Sequence, residues 1–118
     1  MKQKRILVVL LAVLALAAAC VNLNEIIITT PDLSKIADGK YQGNSKVGPV
    51  RVTLDVTVQN SVMTSIQLIQ HRNGLGKKAE AIVPKIIDAQ SLGVDVVSGA
   101  TASSKAILQA VENALAGK

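Results

Sequence analysis

The sequence predicts a single α+β domain in which a small antiparallel sheet has helices packed on one of its faces. From Val50 to Val58 every second residue is valine or leucine, and the residues between them are polar. This alternation indicates a strand with one buried and one solvated face. After Gln70 the apolar residues change to helical spacing. The helices are therefore expected to cover the apolar face of the sheet and to leave its polar face in water.

Turn signals divide the first half of the predicted domain into three strands. The expected strands are Lys40–Val47, the alternating strand from Val50, and Val62–Gln70. Gly48-Pro49 and Gln59-Asn60-Ser61 separate them, and both sequences are typical of turns. The third strand then returns beside the second as a hairpin partner, with Ile66 and Leu68 on the inward face.

The second half of the domain predicts helices interrupted by a proline. Ala79–Val83 has helical spacing, but Pro84 lacks the N–H that a helix interior needs and suits the first turn of a second segment, Lys85–Gln90. The apolar run Val94–Val97 predicts a short buried strand. The last helix is expected over Lys105–Leu115, and its apolar face consists of Ile107, Leu108, Val111 and Leu115.

Three hydroxyl groups lie between this predicted strand and the last helix, at Thr101, Ser103 and Ser104. Gly99 and Ala100 before them are small, so a bulky ligand can approach the backbone there. A helix N-terminus offers unpaired N–H groups, which attract anions and phosphates above all. Ser and Thr are also favoured helix caps, and on residue types alone capping is the more frequent use of such hydroxyls.

The sequence Asp95-Val96-Val97-Ser98-Gly99-Ala100-Thr101 resembles the Asp-x-x-Ser-Gly-Ala-Thr signature of FMN-binding domains. That family occurs in subunits of membrane sodium-pumping and electron-transfer complexes and in small exported flavoproteins. The resemblance covers the chain from about Pro31 to the C-terminus, since three further segments fit the small single-domain members. These segments are Gly39–Gly43, His71–Gly76 and Ala110–Leu115.

The resemblance implies that Thr101 is esterified to the phosphate of FMN, and that a flavin transferase installs the group from FAD. Attachment is then preferred over capping as the role of this hydroxyl. Because flavin redox chemistry belongs to the cofactor, the protein supplies its position and electrostatics. The expected function is that of an electron carrier between a membrane reductase and an acceptor outside the cytoplasm, and not of a substrate-converting enzyme. The alternative is a non-redox accessory or binding lipoprotein with the same fold and no flavin.

The other cofactor-binding candidates implied by the resemblance fall into two groups. The first forms the turn beneath the phosphate and the sequence that the transferase reads: Asp95, Ser98, Gly99, Ala100, Ser103 and Ser104. The second follows the third strand and either contributes to the flavin pocket or is a solvated loop: His71, Asn73, Gly74 and Gly76. Tyr41 is the one aromatic residue of the chain, so ring stacking depends on it or is absent. A covalent link removes the need for tight non-covalent binding.

The N-terminus has the layout of a secretory signal. Lys2, Lys4 and Arg5 precede an unbroken apolar run, Ile6–Ala19, which ends at Cys20. Lipidation of Cys20 is the preferred outcome, and an uncleaved membrane anchor or cleavage and release remain open. Each places the folded part outside the cytoplasm, and the first two hold it at the cell membrane. The expected divisions are residues 1–20 as signal or anchor, 21–37 as tether and 38–118 as the FMN-binding domain.

Most of the net positive charge of the chain lies in this predicted signal. Without Lys2, Lys4 and Arg5 the 13 basic residues fall to 10, which leaves a net charge of +2 against the 8 acidic residues. The sequence shows no basic cluster of the kind that binds nucleic acid. Nucleic acid is therefore not expected as a partner.

Overall fold

A computed structural model describes residues 26–72 and 76–118 of the chain. After a short 3-10 helix, Leu33–Lys35, come the strands β1 (Gly39–Val47), β2 (Val50–Gln59) and β3 (Val62–Arg72), and then the helices α1 (Gly76–Glu80), α2 (Ile82–Ala89) and α3 (Thr101–Ala116). The three strands form one antiparallel sheet in the order β1-β2-β3. The predicted α+β fold is confirmed.

The central strand β2 explains why one face of the sheet is covered. Its alternate residues from Val50 to Val58 are at most 4% exposed, whereas the residues between them reach solvent on the other face. Helix α3 packs over β1 and β2, and α2 packs over β3. Ile82, Ile86 and Ile107 of these helices are fully buried against the sheet. The hydrophobic core therefore lies between one sheet and one layer of helices.

Helix α3 approaches β1 most closely at Gly43. A Cβ atom on Gly43 would collide with the carbonyl oxygen of Ala110 and would lie 2.7 Å from the Cβ of Ala114. Nearer the start of the helix, the Ser45 hydroxyl donates a hydrogen bond to the carbonyl of Ala106. Because later helix residues lie over earlier strand residues, α3 runs antiparallel to β1. Its first residue, Thr101, therefore lies towards the end of the sheet at which β1 ends.

We call this the Thr101 end of the sheet. β3 also finishes there, since its last residue, Arg72, pairs with Arg51 near the start of β2. The opposite end holds the start of β1, where the Asp38 carboxylate accepts a hydrogen bond of 2.8 Å from the Asn60 N–H. β3 spans 11 residues, so the two ends are separated by about 35 Å along the strand.

A β-bulge in β3 sets which residues face the core near the Thr101 end. Leu68 pairs with Leu54 and Gln70 pairs with Thr53, so Ile69 is an additional residue in β3. Ile69 is exposed, and the alternation shifts by one position after it. Ile66 and Leu68 are partly buried and pack against the core, as predicted.

The predicted strand at Val94–Val97 is wrong, because residues 93–97 have no regular secondary structure. The backbone of Val97 has other partners: its N–H donates to the Ser104 hydroxyl at 3.0 Å, and its C=O accepts from the Ala100 N–H at 2.9 Å. At the opposite end, the side-chain amide of Gln90 bonds both the N–H and the C=O of Met63 at 2.8 and 2.9 Å. These bonds occupy part of the edge of β3 at which a fourth strand would pair.

The helix interruption is found, but it lies earlier than predicted. α1 ends at Glu80 and α2 begins at Ile82, so Pro84 is the third residue of α2. Pro84 thus stands in a first helical turn, where its missing N–H costs little. Among residues 26–72 and 76–118, no helix has the length and apolar character needed to cross a membrane.

Candidate functional site

The residues before α3 form a tight turn that positions the helix N-terminus. The Ala100 N–H donates to the Val97 C=O at 2.9 Å. Gly99 has a φ of 77°, the positive value that the third position of a type II turn requires. Ala100 follows as the N-cap residue of α3 and is 2% exposed. The turn therefore needs glycine at one position and a small buried residue at the next, and Ser98 lies exposed on it.

The three hydroxyl groups of this stretch have different surroundings. Thr101 is the first residue of α3 and is exposed, whereas Ser103 and Ser104 are 3% and 0% exposed. The Ser104 hydroxyl accepts a hydrogen bond from the Val97 N–H, so it holds the turn against the helix. The N-cap residue, Ala100, makes no side-chain capping bond. Thr101 therefore presents the hydroxyl that an incoming group can reach.

Lys78, which was not among the residues predicted for the site, lies beside this turn. Its Nζ is 2.8 Å from the position that a Cβ atom on Gly99 would take. A cation at a helix N-terminus faces the positive end of the helix dipole, which is unfavourable unless an anion lies near both. The described residues place no carboxylate within ion-pair distance of Lys78. The local sequence signal for this residue was a lysine pair directly after the glycine-rich stretch.

His71 lies on the core face at the same end of the sheet. It pairs with the buried Val52, and cross-strand partners share a face. Both ring nitrogens are buried, and within residues 26–72 and 76–118 neither has a hydrogen-bond partner. Buried polar atoms normally have partners, and an orphaned one calls for an explanation such as a ligand. His71 is thus placed as a pocket residue would be.

The other candidates are only partly brought together. Gly76 begins α1, whereas Asn73 and Gly74 lie outside the described residues. Asp95 is exposed and borders a shallow groove with Lys85 and Asp88 of α2. Its carboxylate is therefore available to a second protein.

Two further predictions concern other parts of the chain. Tyr41 lies near the opposite end of the sheet, where its hydroxyl donates to the Ala37 carbonyl at 2.6 Å. Six residues, or about 20 Å of strand, separate Tyr41 from Val47 at the Thr101 end. Tyr41 therefore bonds to the segment just before its own strand and does not stack on a group held at Thr101. Cys20 and the rest of the predicted signal or anchor lie outside the described residues.

Comparison with known proteins assigns the family. A profile of the FMN-binding domain matches residues 46–116. A Treponema pallidum (strain Nichols) protein described only as uncharacterized is 31% identical over 85 residues, which cover 70% of this chain and 24% of that protein. An NADH:acrylate oxidoreductase of Vibrio harveyi is 33% identical over 84 residues, which cover 69% of this chain and 8% of the oxidoreductase. The chain thus spans a quarter or less of the length of these relatives. The matched profile covers more than half of the chain, and the protein belongs to the FMN-binding domain family.

Proposed function

We propose that this domain carries FMN as a phosphoester on the Thr101 hydroxyl and acts as an electron carrier. One observation carries the proposal: of the three hydroxyls at the start of α3, that of Thr101 is exposed while Ser103 and Ser104 are buried. The flavin supplies reversible redox chemistry when bound. The chain supplies the attachment point and the electrostatics around it.

The residues at the Thr101 end fit a phosphate group. The helix N-terminus contributes a partial positive charge, and Lys78 beside Gly99 contributes a full one. Gly99 leaves room for the lysine, because a side chain there would displace the ammonium group. The interaction of an anion with an exposed helix N-terminus is worth about 0.3–1 kcal/mol, which is too little to retain a cofactor. The covalent bond must therefore retain the flavin.

His71 supports the same proposal from the core side of the sheet. Its unpartnered ring nitrogens are suited to hydrogen bonds with a polar group of a ligand. We assign His71 to the pocket of the flavin ring or phosphate, together with the glycine-rich stretch that follows β3.

The attachment reaction is a phosphoryl transfer catalysed by a flavin transferase. A bond forms between the Thr101 Oγ1 and the phosphorus of the FMN half of FAD. The pyrophosphate bond of FAD breaks, AMP leaves, and the hydroxyl proton passes to a base of the transferase. We propose that the exposed Asp95 and the turn at Gly99 are contacts for that enzyme.

The proposed place of action is the outer side of the cell membrane. The basic and apolar residues before Cys20 support an N-terminal anchor, with lipidation of Cys20 preferred over an uncleaved helix. The partner would be a membrane reductase or another redox protein. The similarity to part of an oxidoreductase supports such a role for the domain as one electron-transfer unit.

Mass spectrometry of the exported protein tests the proposal. Co-expression with a flavin transferase should add the mass of one FMN less one water, and peptide mapping should place it on Thr101. Thr101→Ala should remove the addition without unfolding the domain, because Thr101 is an exposed first residue of α3 and the N-cap position belongs to Ala100. Thr101→Ser keeps a hydroxyl at the same place and is the matched control.

Three results would count against the proposal. Flavin on Ser103 or Ser104 would show that another hydroxyl is used. A colourless, unmodified protein from a host that contains the transferase would favour a flavin-free accessory protein. For the anchor, a Cys20→Ala protein of unchanged size that stays with the membrane would favour the uncleaved helix over lipidation.

A further inference from the structure

The polar face of the sheet carries a row of three cations at its Thr101 end. Lys46 of β1 pairs with Arg51 of β2, and Arg51 pairs in turn with Arg72 of β3. All three side chains are exposed on the face away from the helices. We call these three residues the basic row. Lys46 and Arg51 face each other across the β1–β2 hairpin, and Arg72 joins them only when β3 pairs with β2, so the row exists only in the folded sheet.

The row is electrostatically unfavourable for the domain itself. Cβ atoms of directly opposed residues are about 4.5–5.5 Å apart, and like charges in such pairs destabilise a sheet. Within the described residues, no carboxylate lies within ion-pair distance of any of the three. When the side-chain amide of Gln70 is oriented with its oxygen towards Arg72, that oxygen accepts hydrogen bonds of 2.6 and 2.9 Å from the guanidinium group. A neutral amide orients the guanidinium but leaves its charge uncompensated.

We propose that the basic row docks an acidic face of the protein that exchanges electrons with the flavin. That the partner is a redox protein rests on the proposed function. The basic row itself follows from the strand pairing and does not depend on flavin attachment. The row, Lys78 and Thr101 all lie at one end of the domain. A partner attracted to the row is thereby brought to the end that carries the flavin attachment residue.

The position of the N-terminal segment favours a protein over a membrane as the occupant. The Thr30 hydroxyl accepts a hydrogen bond of 3.0 Å from the Leu92 N–H. Leu92 comes two residues after Gln90, and Gln90 is bonded to Met63 at the start of β3. The described chain therefore enters at the end of the sheet opposite the basic row. An anchor preceding this segment would hold that opposite end towards the membrane.

Charge complementarity of this kind acts mainly on the association rate. Clustered charges of one sign raise the rate of encounter with an oppositely charged partner by about 10- to 1,000-fold, and salt weakens the effect. At 0.15 M ionic strength the screening length is about 8 Å. If the basic row docks an acidic partner, the association rate should therefore fall as salt is added.

The test uses the full-length flavinylated chain in a neutral detergent and plastocyanin as an acidic redox probe. Two equivalents of Cu(II) plastocyanin oxidise one reduced flavin; each copper takes one electron, and the protons of the flavin pass to solvent. Lys46→Glu combined with Arg51→Glu should slow this reaction about tenfold at low ionic strength. The difference should disappear at high salt. With cytochrome c, a basic redox protein, the same double variant should react faster.

Lys40→Glu combined with Lys35→Glu is the matched control, because it reverses two exposed charges near the opposite end of the sheet. A loss as large in this control as in the row variant would mean that net charge, and not the row, governs the rate. A plastocyanin rate that does not depend on salt would also overturn the proposal.

A second readout separates this inference from the proposed function. The flavin-free Thr101→Ala chain should still bind Cu(I) plastocyanin, and Lys46→Glu with Arg51→Glu should weaken that binding about tenfold. Flavin on Thr101 without such binding would refute the docking surface alone. Binding without any flavin attachment would refute the electron-carrier proposal and keep the surface.

A separate experiment tests whether an anionic membrane, and not a protein, occupies the basic row. In nanodiscs of phosphatidylcholine and of phosphatidylglycerol, hydrogen exchange across Lys46–Arg51 should be the same. Slower exchange on phosphatidylglycerol that Arg51→Glu abolishes would make an anionic lipid surface the occupant and would overturn the proposal.

Discussion

Ser104 and Val97 are joined by a hydrogen bond of 3.0 Å, in which the buried hydroxyl accepts from the backbone N–H. This bond fastens the end of an irregular segment to the first turns of α3. It therefore fixes the turn between them, and Thr101 with it.

Ser104→Ala should destabilise the domain, because the Val97 N–H loses its partner in a partly buried place. Leaving such a group unsatisfied costs about 1–3 kcal/mol. Chemical denaturation of the flavin-free protein measures the loss. Ser98→Ala, on the exposed part of the same turn, should change the free energy of unfolding by less than about 0.5 kcal/mol. Equal effects of the two changes would contradict this account of Ser104.

Gly99→Ala and Gly48→Ala should cost similar stability but differ in flavin attachment. Both glycines have positive φ values, 77° and 57°, at which alanine costs about 1–2 kcal/mol. A Cβ at Gly99 would also displace the Lys78 ammonium, whereas nothing lies within 4 Å of one at Gly48. The flavinylated fraction, measured by intact mass, should fall only for Gly99→Ala. Equal yields would remove Lys78 and this turn from the attachment site.

Gly43→Ala should destabilise the domain most strongly among the glycine substitutions. The added Cβ would meet the Ala110 carbonyl, so the helix backbone would have to move. Overpacking in a closely packed core costs about 1–3 kcal/mol and sometimes more. Gly93→Ala is the control, because its Cβ would meet only the Ser91 hydroxyl, at 3.3 Å. Thermal unfolding of both variants should show a loss for Gly43→Ala alone.

His71→Leu should stabilise the flavin-free domain or leave its stability unchanged. The substitution removes two buried nitrogens that have no hydrogen-bond partner in the described part of the chain, and such unsatisfied groups cost about 1–3 kcal/mol each. In the flavinylated protein it should shift the reduction potential and the flavin absorption bands. A large loss of stability in the flavin-free protein, with no change of the flavin spectrum, would make His71 a residue of the core and not of the pocket.

Arg51→Glu should stabilise the fold, because it places a carboxylate between Lys46 and Arg72. Each cross-strand pair changed from repulsive to attractive contributes about 0.2–1 kcal/mol. The gain should shrink as salt is added. Lys40→Glu should give no such gain, since its partner Thr57 is uncharged. No increase in unfolding free energy at low salt would show that the basic row causes no strain.

The sequence alone determined the parts of this protein that depend on neighbouring residues. The period of two in Val50–Val58 predicted the central strand because successive side chains of a strand point to opposite faces. Turn residues predicted the hairpins, and the last helix followed from its apolar spacing. The resemblance at Asp95–Thr101 predicted the family, which the matched profile bears out.

Other features needed contacts between distant residues. The apolar run Val94–Val97 has the composition of a strand, but the Ser104 hydroxyl and the Ala100 N–H take the backbone of Val97. Neither competitor is visible in the run itself. Which of the three hydroxyl-bearing residues reaches solvent was likewise decided by burial, which follows from how α3 lies on the sheet.

The faces of the last β3 residues were decided by one inserted residue. A strict alternation from Leu68 would turn Gln70 inward and His71 outward, but the bulge at Ile69 reverses both. It thereby turns His71 to the core face, where both ring nitrogens are buried, and places Arg72 beside Arg51 on the polar face. Periodicity determines that a strand has two faces, because it is a property of consecutive residues. Which face each residue joins after a bulge, and which cations then become neighbours, is decided only when the strands pair.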